Sequence, residues 1–343
     1  MDFQLHDVHS ASRDSTVEVS VLLPDGFDPN AAPYPLIIEL HGGGGNRHLL
    51  ADLAPVYQHL VQEGSLPPCV VASLSGGASM YVGFEAFVAN EFPTWLAKQY
   101  NTRSDRGGVC LTGVSMGGFG TLHVALQHPD RFCAVAALEP AIEPGFKAQP
   151  PDRRNTFWRN EAGVASDVEQ ADGSGMDWGF AEESPARVVR DQAAAIRASG
   201  MEIYLEVGDE DHLNLQDGAE FLHRVLWDHD IRHEYHLVRW ADHVGRSMLH
   251  RFIEAHRFLA GALAGGRSED RDMDVPAETM EKVFATIMDP DNTKVDPEDM
   301  SLWEILRSEY GPTVNAQMHA PMRATAEGDP EMERNYAKLP KTR

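Results

Sequence analysis

Apolar and polar residues alternate over Thr16–Leu23 and stop at Pro24-Asp25-Gly26, which predicts an early antiparallel strand followed by a turn. Leu36-Ile37-Ile38-Glu39-Leu40 and Cys69–Leu74 are short apolar runs without alternation, as in strands buried on both faces. Further runs at 108–112, 132–138, 202–207 and 233–239 predict strands as well. Between them, apolar spacing predicts helices over 50–63, about 84–99, 119–127, 185–199, 216–229 and 246–263. Strands that alternate with helices give an α/β protein with a mostly parallel, doubly wound sheet.

Two stretches break this alternation. Residues 141–184 carry Pro144, Pro150, Pro151, Gly173, Gly175 and two tryptophans, Trp158 and Trp178. We expect a loop-rich cap insertion there, with Trp158 and Trp178 as candidate walls of a substrate pocket. After Gly265-Gly266 the composition turns acidic and proline-rich, with short amphipathic stretches at 277–288 and 300–309. The chain is therefore expected to divide into a main domain, 1–265, and a partly helical C-terminal extension, 266–343, which is a candidate surface for a homo-oligomer.

Composition narrows the function classes. With 53 acidic against 29 basic residues the formal charge is −24, which argues against a nucleic-acid partner. No window of the sequence approaches the length of apolar chain that spans a bilayer, and the start, Met1–Asp7, has no basic and apolar leader pattern. The three cysteines, Cys69, Cys110 and Cys133, lie in or beside apolar runs, as expected of reduced thiols in a cytoplasmic protein. No cysteine or histidine spacing typical of a metal site is present. The acidic stretch Asp289–Met300 has Lys294 and Met300 where a calcium loop needs glycine and glutamate. Neither a metal nor a cofactor is expected.

The chemistry lies at the predicted strand ends. Gly113-Val114-Ser115-Met116-Gly117 follows the run 108–112 and precedes a helix, the pattern of a nucleophile elbow that exposes a serine hydroxyl. A serine nucleophile needs a base and a carboxylate to orient that base. In doubly wound sheets the reactive groups gather beyond the carboxyl ends of the strands. Strand 202–207 ends at Gly208-Asp209-Glu210-Asp211-His212 and strand 233–239 at Trp240-Ala241-Asp242-His243. Serine, acid and histidine thus follow in the order Ser115, Asp211, His243. Asp211 is favoured over Asp209, which reads as a turn residue, and His243 is favoured over His212. His41-Gly42-Gly43-Gly44-Gly45 also follows a strand, and side-chain-free residues let backbone N–H groups approach a substrate oxygen. The N–H of Met116 and that of Gly43 or Gly44 are the candidate oxyanion donors.

Several stretches carry a family resemblance: Leu40–Asn46, Phe84–Tyr100 with Glu91-Phe-Pro-Thr-Trp-Leu96, Leu111–Gly120, and Ala125–Phe132 with His128-Pro-Asp-Arg-Phe132. Over about residues 15–260 the chain resembles the esterase-D-like branch of the α/β-hydrolases, which includes S-formylglutathione hydrolases, feruloyl esterases and mycolyltransferases. The resemblance implies an α/β-hydrolase fold and a serine carboxylesterase for a small-molecule ester, with Ser115, His243 and Asp211 as its triad. The alternatives are an acyltransferase on the same fold and a non-catalytic binding protein that retains it. One departure is that only Gly76-Gly-Ala-Ser-Met-Tyr81 stands where S-formylglutathione hydrolases carry a longer aromatic and glycine-rich segment.

Overall fold

The computed structural model describes residues 1–142 and 184–265. The cap stretch with Trp158 and Trp178, apart from its first and last residues, and the extension after Gly265 lie outside them.

Among the described residues, eight strands form one sheet in the order β1-β2-β4-β3-β5-β6-β7-β8. They are β1 (Asp2–Ser10), β2 (Ser15–Leu23), β3 (Leu36–Leu40), β4 (Val70–Leu74), β5 (Val109–Val114), β6 (Ala134–Leu138), β7 (Glu202–Gly208) and β8 (Glu234–Val238). β2 pairs antiparallel with β1 and β4, and every pair from β4 to β8 is parallel. The parallel strands therefore send their carboxyl ends to one edge, where the loops carry the candidate chemistry.

Helices cover both faces. α1 (Leu49–Gln62) and α6 (Met248–Leu263) pack on one. On the other lie α2 (Phe92–Tyr100), α3 (Met116–Gln127), α4 (Pro185–Ser199) and α5 (Gln216–Asp228). The period of two in a strand sorts side chains between these layers. Leu36, Ile38 and Leu40 join the second core and Ile37 the first; on β5, Val109 and Leu111 face opposite to Cys110. This two-sided burial explains why the central strands read as unbroken apolar runs. None of the helices among the described residues is long and apolar enough to cross a membrane.

Three elements differ from the sequence expectation. β1 is an edge strand with Leu5 exposed, so it lacks the apolar run that marks the central strands. The helix expected at 84–99 opens with a π-helical turn, Phe87–Glu91, before α2. Pro93 has no N–H to give the Ala89 carbonyl, and Arg131 Nε donates to that oxygen instead at 3.0 Å. Finally, α3 starts at Met116 rather than Phe119, directly after the candidate nucleophile. Gly117 and Gly118, poor helix formers, stand in its first turn because the backbone packing there leaves no room for a Cβ.

Candidate active site

Ser115 sits at the junction of β5 and α3 with φ 59° and ψ −117°, a conformation that costs a side-chain-bearing residue strain. The surrounding hydrogen bonds impose it. Ser115 N–H donates to the Leu138 carbonyl at 2.9 Å, and its own carbonyl accepts from Phe119 and Ala141. The flanking glycines are required by contact. A Cβ on Gly113 would lie 2.6 Å from the Leu40 carbonyl oxygen, and one on Gly117 would run into that carbonyl. The Gly-x-Ser-x-Gly pattern is thus a packing requirement of strand against helix, and it leaves the half-buried Ser115 side chain at the sheet edge.

The loops after β7 and β8 are clipped together. Glu210 N–H donates to the Ala241 carbonyl at 3.0 Å, and Gly208 leaves no room for a Cβ beside that carbonyl. Asp242 Oδ1 accepts from the N–H groups of both His212 and His243. The result is a continuous chain: His243 Nε2 lies 3.0 Å from Ser115 Oγ, and His243 Nδ1 lies 2.9 Å from Asp211 Oδ2. In the neutral imidazole, with Asp211 as an acceptor, Nδ1 carries the proton and Nε2 is left to accept from Ser115 Oγ–H. Asp211 is fully buried and also accepts from Leu213 N–H at 2.7 Å.

The two rival residues go elsewhere. Asp209 Oδ1 accepts from Trp240 N–H at 2.7 Å, as a turn residue does. His212 is exposed and pairs with Asp242 at 2.8 Å. The structure brings together Ser115, His243 and Asp211, and leaves Asp209 and His212 out of the chain.

The glycine loop borders the same serine. Gly42 is the member packed against it, since a Cβ there would lie 3.6 Å from Ser115 Cβ, while Gly43 and Gly44 are exposed. His41 fixes the loop from within. Its Nδ1 lies 2.7 Å from the Gly42 carbonyl, and Nε2 accepts from Gly76 N–H at 2.9 Å. Tyr81, at the end of the short Gly76–Tyr81 segment, donates its hydroxyl to the His41 carbonyl. The first N–H groups of α3, Met116 among them, have no partner within the helix.

Behind the histidine is a charged layer that the strand-end reading of the sequence missed. Glu139 follows β6 and is fully buried. Arg251 of α6 pairs with both Glu139 and Glu206 of β7. Arg251 also donates to the Asp242 carbonyl at 3.1 Å, beside His243. Two signals in the sequence mark these residues: a glutamate directly after a strand, and charged residues within apolar faces, which must find partners. Burial drives His243 toward its neutral form, but the hydrogen bond to Asp211 and the charges of Asp211 and Glu139 outweigh it and raise the imidazole to about 9. Burial would raise Asp211, yet its hydrogen bond to His243, the charge of that imidazole and the N–H of Leu213 hold it below the usual carboxylate value. Glu139, Asp211 and His243 offer ligand atoms within 4.8 Å of one another, but Arg251 already supplies the positive charge there.

Comparison with known proteins places the chain in an esterase family by sequence, and solved structures share its fold. The family model described as "Putative esterase" matches residues 10–259. An esterase of Mycobacterium tuberculosis is 26% identical over 131 residues, 35% of this chain and 28% of that protein. The MPT51 antigen of Mycobacterium leprae is 35% identical over 83 residues, 22% of this chain and 27% of the antigen. The chain thus spans little more than a quarter of the length of these curated relatives. Among solved structures, an S-formylglutathione hydrolase from Agrobacterium tumefaciens superimposes with a TM-score of 0.56 at 17% identity, covering 76% of this chain and 95% of that one. A ferulic acid esterase from Anaeromyces mucronatus gives 0.55 at 18% identity, covering 76% and 92%. At such identities these two structures establish a shared fold, that of the α/β-hydrolases.

Proposed function

The chain belongs to the esterase family whose model spans residues 10–259, and on that premise we propose that it is a serine carboxylesterase acting on a small-molecule ester. The observation that carries this reading is the unbroken hydrogen-bond chain from Ser115 Oγ through His243 to the buried Asp211. His243 Nε2 would take the Ser115 proton as Oγ attacks the ester carbonyl, and Asp211 would hold the imidazole in the required tautomer. The tetrahedral oxyanion would accept from Met116 N–H and from Gly43 or Gly44 N–H. Collapse expels the alcohol, protonated by His243, and leaves an acyl group on Ser115. Water activated by the same histidine then releases the acid.

A hydroxyl in reach of solvent, a strained backbone that holds it there and a base already in hydrogen-bond contact all support this reading. The buried thiols suit a reducing, cytoplasmic setting: Cys110 Sγ and Cys133 Sγ lie 3.4 Å apart without a bond between them. A fluorophosphonate probe should label Ser115 and block hydrolysis of p-nitrophenyl acetate. Absence of labelling on a folded protein that also lacks hydrolysis would leave the binding-protein alternative. Adding an alcohol during turnover separates hydrolysis from acyl transfer by the product formed.

A further inference from the structure

We propose that Glu139 is a positioning residue that shares the Nδ1 side of His243 with Asp211, so that the site holds a second, substitute acid. The proposal rests on the serine-esterase reading above. Its first ground is placement. Glu139 follows β6 at φ 46°, a left-handed conformation unusual for glutamate, and its N–H donates to the Glu206 carbonyl at 2.8 Å. The strand-end position that supplies Asp211 after β7 thus also supplies a carboxylate after β6.

The second ground is the use of its two oxygens. Oε1 accepts from Gly208 N–H at 3.1 Å and from Arg251, which anchors the group. Oε2 is buried without a hydrogen-bond partner and lies 3.9 Å from His243 Nδ1, the nitrogen that Asp211 holds at 2.9 Å. A buried carboxylate oxygen left unpaired is costly. That cost is reduced when the imidazole becomes an imidazolium, because Nδ1–H then carries positive charge toward both acids.

The charge inventory gives the same direction. The groups around the imidazole are Ser115 from the elbow, Glu139 after β6, Glu206 on β7, Asp211 and His212 after β7, Asp242 after β8 and Arg251 on α6. His212 and Asp242 are exposed and paired with each other. The buried set is three carboxylates against one guanidinium, so a proton on His243 reduces an excess of negative charge. Burial raises Glu139 to about 7, with Asp211 adding to the rise and His243 and Arg251 opposing it. The two acids are therefore coupled through the histidine they face.

The test uses the full chain with Asp211→Asn, Glu139→Gln and the double variant, a p-nitrophenyl ester, and NMR titration of labelled histidine. Where an aspartate is the sole acid, its amide variant loses about 10,000-fold in kcat. Here Asp211→Asn should lose no more than about 100-fold, and adding Glu139→Gln should remove most of what remains. Glu139→Gln alone should leave KM unchanged and move the acid limb of kcat/KM down by about one pH unit. Equal losses in Asp211→Asn and the double variant, together with an unmoved limb in Glu139→Gln, would overturn the proposal. If Glu139→Gln does not fold, the limb of Asp211→Asn decides: above 6.5 it supports the second acid, and at or below 6.5 it refutes it. The NMR titration of His243 needs no turnover. A wild-type protein without esterase activity would therefore sink the functional reading while the histidine titration still answers for Glu139.

Discussion

Among the described residues, a cluster of hydroxyl, histidine and carboxylate at the sheet edge and another inside the core are built for opposite ends. At the sheet edge stand Ser115, His243 and Asp211. Between the sheet and α1 and α6, Tyr57 donates to Glu39 at 2.6 Å and lies 2.8 Å from His256 Nε2. The inventories match, but the origins differ. Glu39, Tyr57 and His256 come from the interiors of β3, α1 and α6 and are buried. Ser115, Asp211 and His243 come from loops at strand ends, and Ser115 keeps part of its surface in solvent. Burial and the charge of Glu39 make Tyr57 hold its proton well above the usual phenol range. Asp211 and Glu139, by contrast, make His243 a stronger proton acceptor. A hydrogen-bonded trio of these residue types is therefore no evidence of catalysis by itself; access, and an acceptor poised to take the proton, are.

The sharpest way to break the comparison is to remove each hydroxyl. Ser115→Ala should cost a factor of roughly 1,000 or more in kcat against p-nitrophenyl acetate while leaving the melting temperature nearly unchanged. Tyr57→Phe should do the reverse. It removes the hydroxyl from between buried Glu39 and His256 Nε2, which lie 3.5 Å apart, so stability should fall by about 1–3 kcal/mol in denaturant titration, with kcat retained. If Tyr57→Phe abolished turnover without unfolding, the division between structural and reactive clusters would fail.

Two smaller effects sharpen the edge cluster. General-base catalysis needs a neutral imidazole. Because the two acids raise His243 above its ordinary 6.5, kcat/KM should climb with pH and reach half its plateau between 6.5 and about 9. A half-rise below 6.5 would contradict the raised imidazole. The smallest effect belongs to the rival residue: His212→Ala should change kcat/KM by less than about threefold, the scale of an exposed, singly paired side chain. A loss of a hundredfold there would reassign the base.

Much of the site was legible because the residues obey a local logic. The glycines around Ser115 are dictated by the approach of β5, α3 and the Leu40 carbonyl, and that crowding leaves a mark in the sequence. Asp211 and His243 were found by their places after β7 and β8. Glu139 obeys the same rule after β6, yet a glutamate at a strand end is common in solvent, and only burial beside Arg251 distinguishes this one. Gly42, rather than Gly43 or Gly44, packs against Ser115, because the exit angle of the chain from β3 is set by His41 and its bond to Gly76.

The sequence alone determined the alternation of strands and helices from β2 onward, the two-sided burial of the central strands and the sharp turn at Ser115, since these depend on local periodicity and on backbone crowding between near neighbours. Tertiary structure decided which carboxylate meets which histidine. Asp209, Asp211, Glu139 and Glu206 are equal in chemistry along the chain. Position in the loop after β7 favours Asp211 over Asp209, but the partners of all four are fixed only when three strand ends and α6 converge, so that one accepts a turn N–H, one holds His243, and two hold Arg251.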